Sequence, residues 1–297
     1  MQLSKQQKQT KFFFDKASNQ WSHNAHLKSD KILNVIKQRN QYVTNVSRKF
    51  LSKKSKILDV GSGSGELVIG LSKLGFDAQG IDFSESMIKK AKRQAMKNKV
   101  EKNKFICDSF FDYSFDGTFD LICANGFIEY ISEDQFQEFL KKTYNLLSKN
   151  GILIINSRNR LFNIFSFNDY TKDEIKYGNL NSLIDECVVF NSGKSLNSVL
   201  KNKRSKIKTN LKKHTKTGID VDTRFQYTPF QIFERLAKNH FKPFDIFPIH
   251  IHVFTTESRK EFPDFHNQVS NFVQNKKSNK IAFIPQSSSF MVLARKK

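Results

Sequence analysis

The segment "KILDVGSGSGELVIGLSKLGFDAQGIDFS", Lys56 to Ser84, reads as a strand, a glycine turn, a helix, a second strand and an acidic residue at its end. Apolar Ile57, Leu58 and Val60 run into Gly61, Gly63 and Gly65, and Asp82 follows 17 residues beyond the last of these glycines. A dinucleotide fingerprint, GxGxxG, would need glycine at position 66, where this chain has Glu66. That difference has physical content. A pyrophosphate sits over a helix N-terminus because free N–H groups and the helix dipole favour negative charge there. Glu66 just inside the helix and Asp59 just before the turn make the spot inhospitable to phosphate and suited to a ligand with a cationic part. Gly61 and Gly63 let the backbone pass close to a ligand, and Asp82 can accept hydrogen bonds from two ribose hydroxyls. The pair implies a nucleoside. No GK[ST] follows the turn, so a phosphate loop of that type is excluded.

Outward from this segment, residues 56–156 alternate short apolar strands ("KILDV", "DAQGID", "KFICD", "FDLICAN", "GILIINS") with helical stretches. The rhythm predicts a parallel sheet of right-handed βαβ units. In "SEDQFQEFLKKTYNLLSKNG", Ser132 and Gln135 make a capping box, Phe136, Phe139, Leu140, Thr143 and Leu147 share a face, and Gly151 follows the end. In "SESMIKKAKRQAMK", Met87, Ile88, Ala91 and Ala95 form a narrow apolar stripe opposite lysines and Arg93. Residues 1–50 read as a polar helical cap carrying Phe12, Phe13, Phe14 and Trp21, residues 51–156 as the ligand-binding core, and 157–225 as an insertion or lid after the fifth strand. Residues 226–297 supply a helix opened by Thr228 and Pro229 and a closing pair of strands, "PFDIFPIHIHVF" and "SSSFMVLARKK".

The 297 residues, 38% of them hydrophobic, suffice for one large α/β domain with an insertion. No apolar run is long enough to span a membrane and "MQLSKQQKQTK" lacks a signal-peptide core, so a cytoplasmic protein is expected. Cys107, Cys123 and Cys187 show no ligand spacing, which argues against a disulfide framework or a zinc site. The formal net charge of +22 has two readings. One is a polyanionic partner, for which the nine Lys or Arg residues between Lys194 and Lys216 are the candidate patch. The other, which the even scatter of lysines favours, is a lysine- and asparagine-rich composition throughout.

The opening segment resembles motif I and its following acid in the class I methyltransferases that use S-adenosylmethionine, and the resemblance extends over about residues 50–156. It implies a Rossmann-like, doubly wound, mostly parallel seven-stranded sheet with an antiparallel last strand. "ILDVGSGSG" matches the family's pattern and implies Asp59, Gly61 and Gly63 around the methionine moiety, with Gly65 also among the cofactor-binding residues. "GIDFS" implies Asp82 on the ribose and Phe83 against the adenine, although Phe83 also suits a core position. "FICDSF" implies Asp108 at the adenine amino group with Ser109 beside the ring, and "FDLICANGFIEYI" implies Asn125, Gly126 and Ile128 near the methionine and the transferred methyl. The cofactor implied is S-adenosyl-L-methionine.

For the acceptor, the loop "NGFIEY" lacks the proline pair typical of enzymes that methylate exocyclic amines of bases and looks more like those acting on small metabolites, quinones, lipids and sugars. An O or N atom of such a small-molecule acceptor is the expected target, and nucleic acid is not the expected partner. An RNA-directed enzyme using segment 194–216 and a non-catalytic cofactor-binding regulatory subunit are the alternatives. Candidate general bases are His250 and His252, which alternate onto one face of the late strand, with His23 and His26 competing. Tyr130 could touch the acceptor or pack under the next helix; Arg158 could clamp an anionic group or belong to an insertion that merely packs on the domain. No metal is expected, because a third ligand is not apparent.

Overall fold

The computed structural model describes residues 5–25, 34–192, 195–201, 205–207, 225–275 and 280–297. Two helices, α1 (Lys5–Ala25) and α2 (Val35–Phe50), precede the alternating core of β1 (Lys56–Val60), α3 (Glu66–Lys73), β2 (Asp77–Asp82), α4 (Glu85–Lys97), β3 (Phe105–Cys107), β4 (Phe119–Ala124), α5 (Glu133–Leu146) and β5 (Leu147–Arg158). Among the described residues, α6 (Asn163–Ser166), α7 (Asp169–Lys176), α8 (Leu180–Ser192) and α9 (Leu196–Leu200) follow. The chain closes with α10 (Pro229–Lys238), β6 (Phe241–Ile251), α11 (Thr256–Glu261), α12 (Pro263–Asn275) and β7 (Ser287–Lys296).

The strands form one sheet in the order β3-β2-β1-β4-β5-β7-β6. All neighbours from β3 to β5 are parallel, while β7 runs antiparallel to both β5 and β6. This is the seven-stranded Rossmann-like sheet with the reversed last strand that the sequence predicted. Order reverses between β1 and β4, so a crevice opens at the carboxyl ends of those strands.

Strands buried on both faces read as nearly continuous apolar runs, and alternation sends successive side chains to opposite layers. Leu58, Ile122 and Leu153 face the layer that holds Phe136 and Phe139 of α5 and Phe230 and Leu236 of α10. Ile57, Leu121 and Ile152 face Val43 and Val46 of α2, Leu67 and Leu71 of α3, and Ala91 and Ala95 of α4. The Ser132–Gln135 capping box is present, as is the Thr228–Gln231 box with Pro229 in the first turn of α10.

Phe190, Phe225 and Tyr227 join the core layer beneath α5 and α10. A buried ion pair organises the helices after β5: Arg160 donates Nε to Glu174 Oε1 at 2.7 Å and Nη2 to Oε2 at 2.8 Å. Asn163 and Asn179 donate to the same carboxylate at 3.0 and 2.9 Å, so its acceptor sites are filled from several sides. Most of the basic stretch 194–216 lies outside the described residues.

The sequence reading placed only a helix and strands after residue 226, and α11 and α12 stand between β6 and β7. Their apolar residues explain why they escaped notice: Phe262, Phe265 and Phe272 are exposed, while the buried positions of α12 are His266, Ser270 and Gln274. An inward face made of polar residues gives no apolar period to read. Among the described residues no helix is long and apolar enough to cross a membrane.

Candidate functional site

The crevice at the end of β1 holds the glycine turn. Gly61, Gly63 and Gly65 adopt φ of +73°, +52° and +83°, values that favour glycine. The amides of Gly61 and Ser62 donate to Ile81 O at 2.9 and 3.1 Å, which fixes the turn against β2. A Cβ on Gly63 would meet nothing within 4 Å, so that side of the turn faces the open cleft. Gly65 has another reason to lack a side chain. It is the N-cap of α3, and a Cβ there would sit 2.6 Å from the Phe105 ring and 2.9 Å from Ala91 Cβ. Gly65 is not among the residues lining the cleft; it lets α3, α4 and β3 close up behind the turn.

Asp82 ends β2 with both carboxylate oxygens engaged: Oδ2 accepts from the Gly63 amide and Oδ1 from the Ser84 amide, each at 2.9 Å. Burial raises its pKa to about 6, against the pull of those two bonds, and the charge of Asp15 adds to the rise. Burial also pushes Asp59 up to about 7, with Asp82 and Glu66 adding and the Cys123 thiol, which donates to Asp59 Oδ1 at 3.3 Å, opposing. Asp59, Glu66 and Asp82 all line the cleft. Carboxylates crowded in a buried place ionise reluctantly, and a cation arriving among them would relieve their mutual repulsion.

Further round the cleft lie Phe83, Asp108 and Ser109 on one side, and Asn125, Gly126 and Tyr130 on the other. The Asn125 amide is buried, and neither its Nδ2 nor its Oδ1 has a hydrogen-bond partner among the described residues. A buried amide left in that state costs about 1–3 kcal/mol, which a polar ligand in the cleft would recover. Ile128 does not line the cleft; it is wholly buried in the core layer, and its neighbour Phe127 takes the lining position.

Two helices roof the site. Gln7, Thr10 and Phe14 reach it from α1, and Ile36, Arg39 and Asn40 from α2. The roof is held down by side chains: Gln6 Nε2 donates to Tyr130 O at 2.9 Å, Phe14 packs edge-on to Tyr130 with ring centres 5.3 Å apart, and Ser84 Oγ donates to Asp15 at 2.5 Å. Arg39 Nη1 would stand 3.0 Å from a side chain at Gly126, so this glycine makes room for a guanidinium in an otherwise acidic cleft. Sequence reasoning missed these residues. Nothing in the spacing of α1 or α2 signals that they fold over a turn that begins at Gly61.

Arg158, His250 and His252 are not among the cleft-lining residues. Arg158 lies at the end of β5 with its guanidinium 5.9 Å from the Tyr170 ring centre. His250 and His252 do sit side by side, ring centres 4.1 Å apart, but α12 covers them with His266. Burial lowers the pKa of His250 to about 3 and drives that of His252 further down, with Arg259 adding to both, so neither ring is poised to exchange a proton near neutrality. The side chains of His23 and His26 lie outside the described residues.

The residues present fit S-adenosylmethionine: paired acids beside an open glycine for an ammonium and sulfonium, Asp82 at a strand end for a diol, and an unsatisfied Asn125 amide. Comparison with known proteins agrees. Residues 51–217 match a family model described as a methyltransferase domain. A carboxy-S-adenosyl-L-methionine synthase from Nautilia profundicola is 35% identical over 116 residues, 38% of this chain and 49% of that protein. A ubiquinone biosynthesis O-methyltransferase from Pelagibacter ubique is 32% identical over 117 residues, 39% of this chain and 47% of that protein. The chain thus spans about half the length of the curated relatives it matches. Among solved structures, the magnesium protoporphyrin IX methyltransferase of Synechocystis PCC 6803 with bound S-adenosylhomocysteine superposes with a TM-score of 0.56 at 13% identity, covering 98% of this chain and 100% of that one.

Proposed function

This chain belongs to the methyltransferase-domain family, and from that premise we propose that it binds S-adenosylmethionine in the roofed cleft and transfers the methyl group to an oxygen or nitrogen of a small acceptor, free or linked to a lipid or sugar. One observation carries the cofactor half: Asp59, Glu66 and Asp82 line a cleft that also holds the open side of Gly63 and the unsatisfied Asn125 amide. In the proposed complex Asp82 takes the ribose, Phe83, Asp108 and Ser109 the adenine end, and Asp59, Gly61, Gly63, Asn125 and Gly126 the methionine end. Arg39 suits a carboxylate, either that of the methionine or one on the acceptor.

Transfer from a sulfonium is an in-line displacement, so the chain's main contribution is to hold the acceptor atom about 3 Å from the methyl along the line of the breaking bond. The roof of α1 and α2 supports a small acceptor over a macromolecular one, because Phe14, Ile36 and Arg39 narrow the space beyond the turn. Tyr130, also on the lining, is the proposed contact to the acceptor. A protonated acceptor would need a base, for which the cleft lining offers carboxylates rather than His250 or His252.

The test is transfer of label from methyl-labelled S-adenosylmethionine by the full chain, offered separately small-metabolite, lipid, sugar and RNA fractions. Label in one of the first three supports the reading; label in RNA alone supports the alternative that rests on the charge of segment 194–216. Tight cofactor binding without transfer to any fraction supports a regulatory subunit. Mass analysis of the nucleoside product separates transfer from modification of the cofactor itself, the reaction suggested by the name of the Nautilia profundicola relative.

A further inference from the structure

Among the described residues outside the cleft, the strongest cluster of chemistry-bearing side chains is at the far end of β6. His250 and His252 come from the strand end and His266 from α12, and one ring nitrogen of each lies within 4.8 Å of the others. We propose that His250, His252 and His266 form a binding site for one divalent transition-metal ion of the zinc or cobalt type.

The donor set has the required chemistry. Three neutral imidazoles without a carboxylate suit a borderline-soft ion and not magnesium or calcium, which require oxygen. Two of the rings carry an unused nitrogen: His252 Nε2 and His266 Nδ1 are buried and have no hydrogen-bond partner among the described residues. Their other nitrogens are occupied, His266 Nε2 with Ser270 Oγ at 3.4 Å and His252 Nδ1 with Arg259 Nη1 at 3.2 Å. Ser270 Oγ can accept from the His266 Nε2–H and so leave Nδ1 free to ligate, the usual support of a ligating histidine, whereas Arg259 can only donate to His252.

The backbone around the rings is held by hydrogen bonds. The His250 backbone stands at φ +58°, an uncommon conformation for a residue with a side chain, with its amide donating to Gln38 Oε1 at 2.9 Å. The His252 amide donates to Gln286 O at 2.8 Å, and the Phe162 ring stacks on its imidazole with centres 4.4 Å apart. Ligand nitrogens about 2.0–2.1 Å from a tetrahedral zinc stand about 3.4 Å from one another. Nitrogens as far as 4.8 Å apart therefore need to draw together by up to about 1.4 Å, which calls for rotation of the rings about their side-chain bonds. Three protein ligands leave a position for water or another oxygen donor.

Arg259 supplies a second, sharper consequence. While its N–H donates to His252 Nδ1, the proton of the neutral ring is on Nε2, the nitrogen that must ligate. Metal binding moves that proton to Nδ1, where it would oppose the guanidinium, so Arg259 must withdraw. The arginine and the metal compete.

The full chain, without a histidine tag and stripped with chelator, is titrated with Co²⁺ by visible absorption and with Zn²⁺ by calorimetry. One saturable equivalent per chain is expected, with Co²⁺ bands displaced by Zn²⁺. His266→Ala and His250→Ala should each weaken it at least about a hundredfold, the scale of losing a ligand or more, while Arg259→Gln should tighten it. Retained S-adenosylhomocysteine binding reports that a variant is folded; His250, the half-buried member, serves if His266→Ala does not fold. Absence of a saturable equivalent in the unmodified chain, or an equivalent undiminished in a folded histidine variant, overturns the proposal.

Discussion

The Gly63 amide donates to Asp82 Oδ2 at 2.9 Å, tying the turn after β1 to the end of β2 across the mouth of the cleft. With the Ser84 amide on the other oxygen, the acid organises the backbone on both sides of it. Asp82→Asn leaves one acceptor and places an NH₂ against a backbone donor. We expect a loss of about 1–3 kcal/mol in unfolding free energy, read from urea denaturation.

Gly63 and Gly65 should separate binding from folding. A methyl on Gly65 would strike the Phe105 ring and Ala91, so Gly65→Ala should cost about 1–3 kcal/mol or more in stability. At Gly63 the same methyl enters open space, and only the φ of +52° is strained. Gly63→Ala should therefore lower the melting temperature less than Gly65→Ala, yet weaken S-adenosylmethionine more. Equal effects of both variants on both measurements would remove the distinction.

Acidity gives a third expectation. The folded pKa values of Asp59 and Asp82, about 7 and about 6, lie above the unfolded value of about 3.9, so the fold holds these protons more tightly. Their contribution to stability in the ligand-free protein is greatest at low pH and is lost as pH rises from about 4 to about 7. A cationic ligand has the opposite preference. Affinity for S-adenosylmethionine should rise between pH 5.5 and 7.5, about tenfold in scale, with proton release on binding, while neutral-sulfur S-adenosylhomocysteine shows a weaker dependence. Calorimetry in buffers of different ionisation enthalpy measures the released protons.

Away from the cleft, Glu174→Gln would remove the charge of the carboxylate that accepts from the buried Arg160 guanidinium. A loss of up to about 3–5 kcal/mol is expected, and Arg160→Leu paired with Glu174→Gln should recover part of it if the broken ion pair is the cause. Thermal melts of the single and double variants check this.

The sheet was legible because its signals are local. Each strand from β1 to β5 carries its own apolar run, and the capping box at Ser132 and the Thr228–Pro229 start announce α5 and α10. The turn and its acid were legible for the same reason: glycines and Asp82 stand at fixed spacing within one βαβ unit. What escaped was set by distant packing. Arg39 and Phe14 reach the cleft only because α1 and α2 fold over it, and His266 meets His252 only because α12 buries a polar face. Ile128 illustrates the finer limit. One residue's rotation in the short turn after β4 sends it to the core and Phe127 to the cleft.

The central claim is that this acid-lined cleft holds S-adenosylmethionine through Asp82. Calorimetric titration of the full chain with the cofactor, repeated on Asp82→Asn after its folding is verified, tests that most directly. The account predicts one site per chain, a Kd on the order of 1–100 µM, and at least about tenfold weaker binding in the variant. No binding up to about 1 mM, or undiminished affinity in folded Asp82→Asn, would contradict it.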